Sequence, residues 1–135
     1  MSAPVDLLMR SFASVPRSAR AARDFVVDEL RRADAQARAI ADFELMVSEL
    51  VTNSVQYGSG AEIVVGVDAV TDGWFTISIS SGVDGVLPPL DPASWTVADA
   101  EQRSGRGLGI VRALADDLSV AVTDGRLVIV CRRRR

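Results

Sequence analysis

One long amphipathic helix constrains this chain more than any other feature. From about Arg38 to Tyr57, Ile40, Phe43, Val47, Leu50, Val51 and Ser54 recur at helical spacing, and Gly58-Ser59-Gly60 ends the run. A stripe of that length needs a broad apolar partner. At 135 residues the chain has room for one core. Strand-like segments can supply the partner. Residues 7–13 read as a first strand, and Glu62 to Ala69 is rich in β-branched residues. Trp74 to Ser80 alternates apolar with polar, after a turn signal at Thr71-Asp72-Gly73. Leu118 to Thr123 and Arg126 to Arg132 flank Asp124-Gly125 as a closing hairpin.

Two further helices complete the pattern. Ser14 as N-cap and Pro16 at the first helical position open one, with Ala19, Ala22, Val26 and Leu30 as its inner face, ending at Arg32 or Ala33. Another is expected from near Gly107 to Asp116 or Asp117. The order β-α-α-β-β-loop-α-β-β lacks regular βαβ alternation. It predicts an α+β two-layer sandwich, a mixed, mainly antiparallel sheet with three helices on one face. Residues 82–104, with Gly82, Gly85, Pro88, Pro89 and Pro92, read as irregular. So long a loop in a compact domain is often functional.

Composition removes several classes of function. The chain has no His, which excludes a His base, a phosphohistidine or a His-ligated metal. Its single cysteine, Cys131, cannot form an internal disulfide and reads as a small buried or edge side chain. The formal net charge of −3 argues against direct nucleic-acid binding. The run Arg132-Arg133-Arg134-Arg135 reads as a solvated tail or as a contact for an acidic partner. No apolar run approaches the roughly 18 residues of a membrane span. Met1 to Arg10 lacks a basic start followed by a long apolar stretch, so no signal peptide is visible and a cytoplasmic location is expected.

Two segments carry candidate chemistry. Glu49, Asn53 and Gln56 stand at i, i+4 and i+7, on one helix face away from the apolar stripe. Spacing alone leaves this face open to two readings, a wet surface or a site. Gly105-Arg106-Gly107-Leu108-Gly109-Ile110-Val111 lies where the long loop meets the third helix. Glycines there let backbone N–H groups approach a phosphate at a helix N-terminus. The spacing is wrong for a P-loop and no Lys is present. The segment does not directly follow a strand, as a dinucleotide fingerprint would. A plain hinge is the other reading.

Taken together, the two segments resemble the GHKL superfamily of gyrase, sensor histidine kinases and the small bacterial anti-sigma-factor serine/threonine kinases. Glu49-Leu50-Val51-Thr52-Asn53-Ser54-Val55-Gln56-Tyr57-Gly58 looks like its N box. Gly105 to Val111, continuing into Arg112-Ala113-Leu114-Ala115-Asp116, looks like its second glycine box. The Ala- and Arg-rich stretch Pro16 to Arg32 resembles the first helix of actinobacterial anti-sigma kinases. The resemblance implies a single Bergerat-type ATP-binding domain over residues 1–135, with a lid over about 86–104. It implies ATP and Mg²⁺ as ligands and gives Glu49 the role of general base. Asn53 would hold Mg²⁺. Gly105, Arg106, Gly107, Leu108 and Gly109 would cradle phosphates.

The first glycine box departs from the family pattern Asp-x-Gly-x-Gly and reads Ser81-Gly82-Val83-Asp84-Gly85. Only Gly85 fits. Ser81 replaces the Asp that receives the adenine amino group, and Val83 replaces the first Gly. A neutral bond in place of a charge-assisted one would weaken ATP about tenfold. Gln56 stands where the family often has His.

Two functions follow from the resemblance. The first is an anti-sigma factor and protein serine/threonine kinase, which sequesters a sigma factor and phosphorylates an antagonist protein. The second is a binding module of the same fold that acts by association without useful ATP binding. A full sensor histidine kinase is disfavoured, since the chain has no His and no dimerisation region. The oligomeric state is left open, a homodimer included.

Overall fold

The computed structural model describes residues 7–83, 90–95 and 103–135, and for residues 103–106 the backbone alone. Five strands and three helices run in the order β1 (Leu8–Phe12), α1 (Ser18–Arg32), α2 (Ala37–Tyr57), β2 (Ile63–Asp68), β3 (Trp74–Gly82), α3 (Arg103–Leu114), β4 (Asp117–Thr123) and β5 (Arg126–Arg134). A 3-10 turn, Pro92–Ser94, lies between β3 and α3. The sheet order is β1-β2-β3-β5-β4. Every described pairing is antiparallel, so the sheet is not mixed as expected. Hairpins join β2 to β3 and β4 to β5, and a tight hairpin can only pair its strands antiparallel.

The register places Val65, Ile79, Ile129 and Val120 in one row across the sheet and Val67, Ile77, Cys131 and Leu118 in the next. These rows form one core with Phe43, Met46, Val47, Leu50 and Val51 of α2 and with Ala22, Phe25, Val26 and Leu30 of α1. Leu108 and Val111 bring α3 into the same core. The alternate residues of β3 and β5, such as Ser78, Ser80, Val128, Arg132 and Arg134, point to the other face, as strand geometry requires.

Several local readings are corrected. Ser14 does not cap α1. A turn closed by the Ser18 amide donating to the Val15 carbonyl precedes the helix, with Pro16 at the position its fixed φ suits. Arg17 takes the cap position with no side-chain bond. Asp124 and Gly125 both have positive φ, 52° and 73°, which fits the two-residue hairpin.

The arginine run ends the last strand, with Arg134 and Arg135 exposed, but its side chains are engaged by neighbouring elements. Arg132, Arg133 and Arg134 belong to β5. The guanidinium groups of Arg132 and Arg134 lie 4.7 and 5.4 Å from the Trp74 ring centre. Arg133 pairs with Asp42 of α2. Arg135 donates to the Ala69 carbonyl and lies over the Phe75 ring. Aromatic faces and carbonyls on neighbouring elements draw the run along the sheet, information that is remote in sequence.

Candidate functional site

Helix α2 builds the site. Asn53 and Glu49 are one turn apart on it, yet they sit in different surroundings. Asn53 is 7% exposed, so the wet-surface reading fails for it. It lines a crevice with Ser54, Tyr57, Gly58, Ser81, Gly82, Val83 and Leu127. Three main-chain contacts hold the walls together. The Ser59 amide donates to the Gly82 carbonyl at 3.1 Å, and the Val83 amide to the Gly125 carbonyl at 3.1 Å. Gly58 and Val83 form an isolated antiparallel bridge. Gly58 has an extended backbone, and a Cβ there would collide with the Ser54 carbonyl. Glycine is therefore required where α2 turns into the crevice wall.

Two features of the crevice bear on what it holds. Among the described residues the Asn53 Nδ2 atom is buried and has no hydrogen-bond partner. An unsatisfied buried amide costs about 1–3 kcal/mol, so this group calls for an acceptor from water or from a ligand. The crevice is also tight. As it stands it has no room for even a water-sized sphere, against the roughly 300–1,000 Å³ usual for small-molecule sites. Val83 is one of the side chains that narrow it. Ser81 is 4% exposed and belongs to the same wall.

Glu49, one turn earlier on the same face, is partly buried against α3. A Cβ built on Gly107 would stand 2.6 Å from Glu49 Oε2. Glu49 of α2 and Gly107 of α3 therefore pack closely against each other. Gln56, by contrast, is exposed and lines no part of the crevice.

The third helix starts earlier than expected, at Arg103 rather than near Gly107. Buried Leu108 and Val111 anchor it, and the helix extends N-terminally from that anchor. In this conformation the N–H groups of Gly107 and Gly109 fall beyond the first four helical residues, within the intrahelical ladder, while that of Gly105 lies among the free ones. Leu108 contributes a core side chain, 3% exposed. Gly85, the Arg106 side chain and most of the expected lid lie outside the described residues.

Within that lid expectation, residues 90–95 are described and are anchored. Trp95 is 3% exposed within the core. Arg112 of α3 donates to the Ala93 and Trp95 carbonyls at 3.0 Å each. Sequence reasoning missed Arg112 and the crevice role of Leu127. Both lie within segments the sequence singled out, but their partners are many residues away, which spacing along the chain does not reveal.

The residues present fit Mg²⁺ as a ligand-borne ion. Asn53 carries a hard amide oxygen that could ligate the ion, while its unpartnered atom, Nδ2, is a hydrogen-bond donor suited to a phosphate or water oxygen rather than to the metal. Among the described residues no three His, Cys, Asp or Glu side chains gather into a metal cage. Mg²⁺ ordinarily needs only one or two protein oxygens besides phosphate and water.

Residues 12–132 match the family model of the histidine kinase-like ATPase domain, and the chain belongs to that family. Solved structures agree on the fold. The RsbU and RsbW domains of Rv1364c from Mycobacterium tuberculosis match with a TM-score of 0.68 at 20% identity, over 97% of this chain and 32% of that one. This chain therefore spans about a third of that protein. The SiaB–SiaC complex from Pseudomonas aeruginosa matches with a TM-score of 0.63 at 18% identity, over 94% of this chain and 89% of that one. Full-length ShkA in complex with AMPPNP matches at 0.54 and 13% identity, over 96% of this chain and 32% of that one. No curated protein sequence matches. No described helix is long and apolar enough to cross a membrane.

Proposed function

We propose that this chain is an anti-sigma-type protein serine/threonine kinase that binds ATP with Mg²⁺, sequesters a sigma factor and phosphorylates an antagonist protein. It would act as one domain in the cytoplasm. The observation that carries the reading is the pairing on α2 of a buried, unpartnered Asn53 amide with the Glu49 carboxylate one turn away. The likeness to RsbW domains and to SiaB in complex with SiaC supports a protein as the second substrate.

In this reading Asn53 holds Mg²⁺, which supplies neutralising charge at the phosphates. The serine hydroxyl of the antagonist is the nucleophile, and Glu49 accepts its proton. The serine oxygen bonds to the γ-phosphorus as the bond to the β–γ bridging oxygen breaks, and ADP leaves. Ser81 and Gly58 line the same crevice as Asn53.

Calorimetric titration with Mg-ATP and Mg-ADP tests the reading. Heat of binding with Mg-ADP, followed by ATP-dependent gain of a phosphoryl mass on an antagonist protein, supports it. Absence of binding in the wild type and in a Ser81→Asp/Val83→Gly double variant would end it. The tightness of the crevice at Val83 favours one alternative, a binding module that regulates its partner by association alone.

A further inference from the structure

We propose that Gly107 is a positioning residue for Glu49. Having no side chain, it leaves the space in which the Glu49 carboxylate is seated against α3. The inference deepens the kinase reading above and rests on it for its kinetic consequence.

Three observations meet at this point. The hypothetical Gly107 Cβ lies 2.6 Å from Oε2, 3.5 Å from Cδ and 3.6 Å from Cβ of Glu49, so the whole acidic side chain lies along the glycine. Gly107 is inside α3, and its backbone has no positive φ. Helical geometry therefore does not demand glycine there, and glycine is a poor helix former. Glycine in a helix interior is less favourable than Ala, and here its missing side chain is what leaves room for Glu49. Lastly, Glu49 has no hydrogen bond or ion pair among the described residues. The close approach to Gly107 of α3 is thus the contact that bears on where the carboxylate sits. Buried Leu108 and Val111 make α3 a firm wall for that purpose.

This differs from a phosphate-cradling role for Gly107, because in this conformation its N–H belongs to the helix ladder. The obstruction is also soft, since the group a Cβ would meet is the free end of a flexible side chain. Gly107→Ala should therefore fold normally while pushing the carboxylate aside. A general base displaced by about 1 Å loses much of its effect, as positioning dominates such chemistry.

The test is Gly107→Ala in the full chain, with three measurements. The expected thermal midpoint is equal to or above that of the wild type. The expected dissociation constant for Mg-ADP changes less than threefold, while kcat for transfer at saturating ATP falls at least tenfold. By carboxyl NMR, the Glu49 Cδ resonance shifts in the variant. A weakening of Mg-ADP of tenfold or more with kcat unchanged would make Gly107 a phosphate contact and overturn the proposal. An unmoved Glu49 resonance would overturn it too. That NMR measurement needs no activity, so a wild type that transfers no phosphoryl group would refute the kinase reading and still leave the seating of Glu49 decided.

Discussion

The Asn53 crevice and the Glu49 junction are one helical turn apart and are built in opposite ways. The crevice is walled by backbone: the end of α2, the end of β3 and the β4–β5 turn, joined by amide–carbonyl bonds. Its polar group is nine-tenths buried and lacks a partner among the described residues. The junction is walled by a single helix packed on another, and its carboxylate is half-exposed. Under the proposed function the difference has a reason. An amide that holds a ligand's ion would need rigid walls, because any collapse would let the protein satisfy it. A carboxylate that takes a proton from an incoming hydroxyl would need access, so packing on one side would suffice.

Glu49→Ala should show the largest effect and the cleanest separation. Transfer should fall by about 10²–10⁴ with Mg-ADP binding nearly unchanged, because a general base acts in the transition state. Kinetics with saturating ATP check this. Equal losses in binding and transfer would merge the two regions into one.

Asn53→Leu should move binding and stability in opposite directions. Replacing the orphan amide by an apolar group of similar size removes an unsatisfied donor, so apo stability should rise by about 1–3 kcal/mol. Mg-nucleotide affinity should fall about 10–100-fold as the charged contact is lost. A urea melt and a titration on the same sample decide it. A loss of stability would mean that the amide already has a partner.

Ser81→Asp should tighten Mg-ATP about tenfold if the crevice takes the base. No gain would locate the obstacle at Val83, and Val83→Gly is then the variant to titrate.

The smallest effect belongs to Cys131, on β5 in the core. Burial pushes its thiol from 9.0 up to about 12. The native protein at pH 8 should not react with a thiol reagent until it is unfolded. The unfolded thiol ionises at lower pH than the folded one. This contribution to stability is thus fully present below about pH 9 and is lost as pH rises towards 12.

Much of the fold was legible because it depends on local period and turn chemistry. The strands around Asp124-Gly125 and Thr71-Asp72-Gly73, and the α2 stripe from Phe43 to Ser54, follow from residue spacing alone. The pairing of the N-box-like segment with the glycine segment was legible as a resemblance, and the contact between Glu49 and Gly107 accords with it.

The sequence by itself determined which helix carries the acidic and amide groups, and that one core holds the chain, because helical and strand periods are properties of neighbouring residues. Tertiary structure alone decided that Asn53 is buried while Gln56 is exposed, that α3 begins at Arg103, and that the arginine run lies on Trp74, Asp42 and Phe75. Each of these depends on which surface another element presents at that point. Spacing along the chain does not carry that information, because contacts between elements are set by packing across tens of residues.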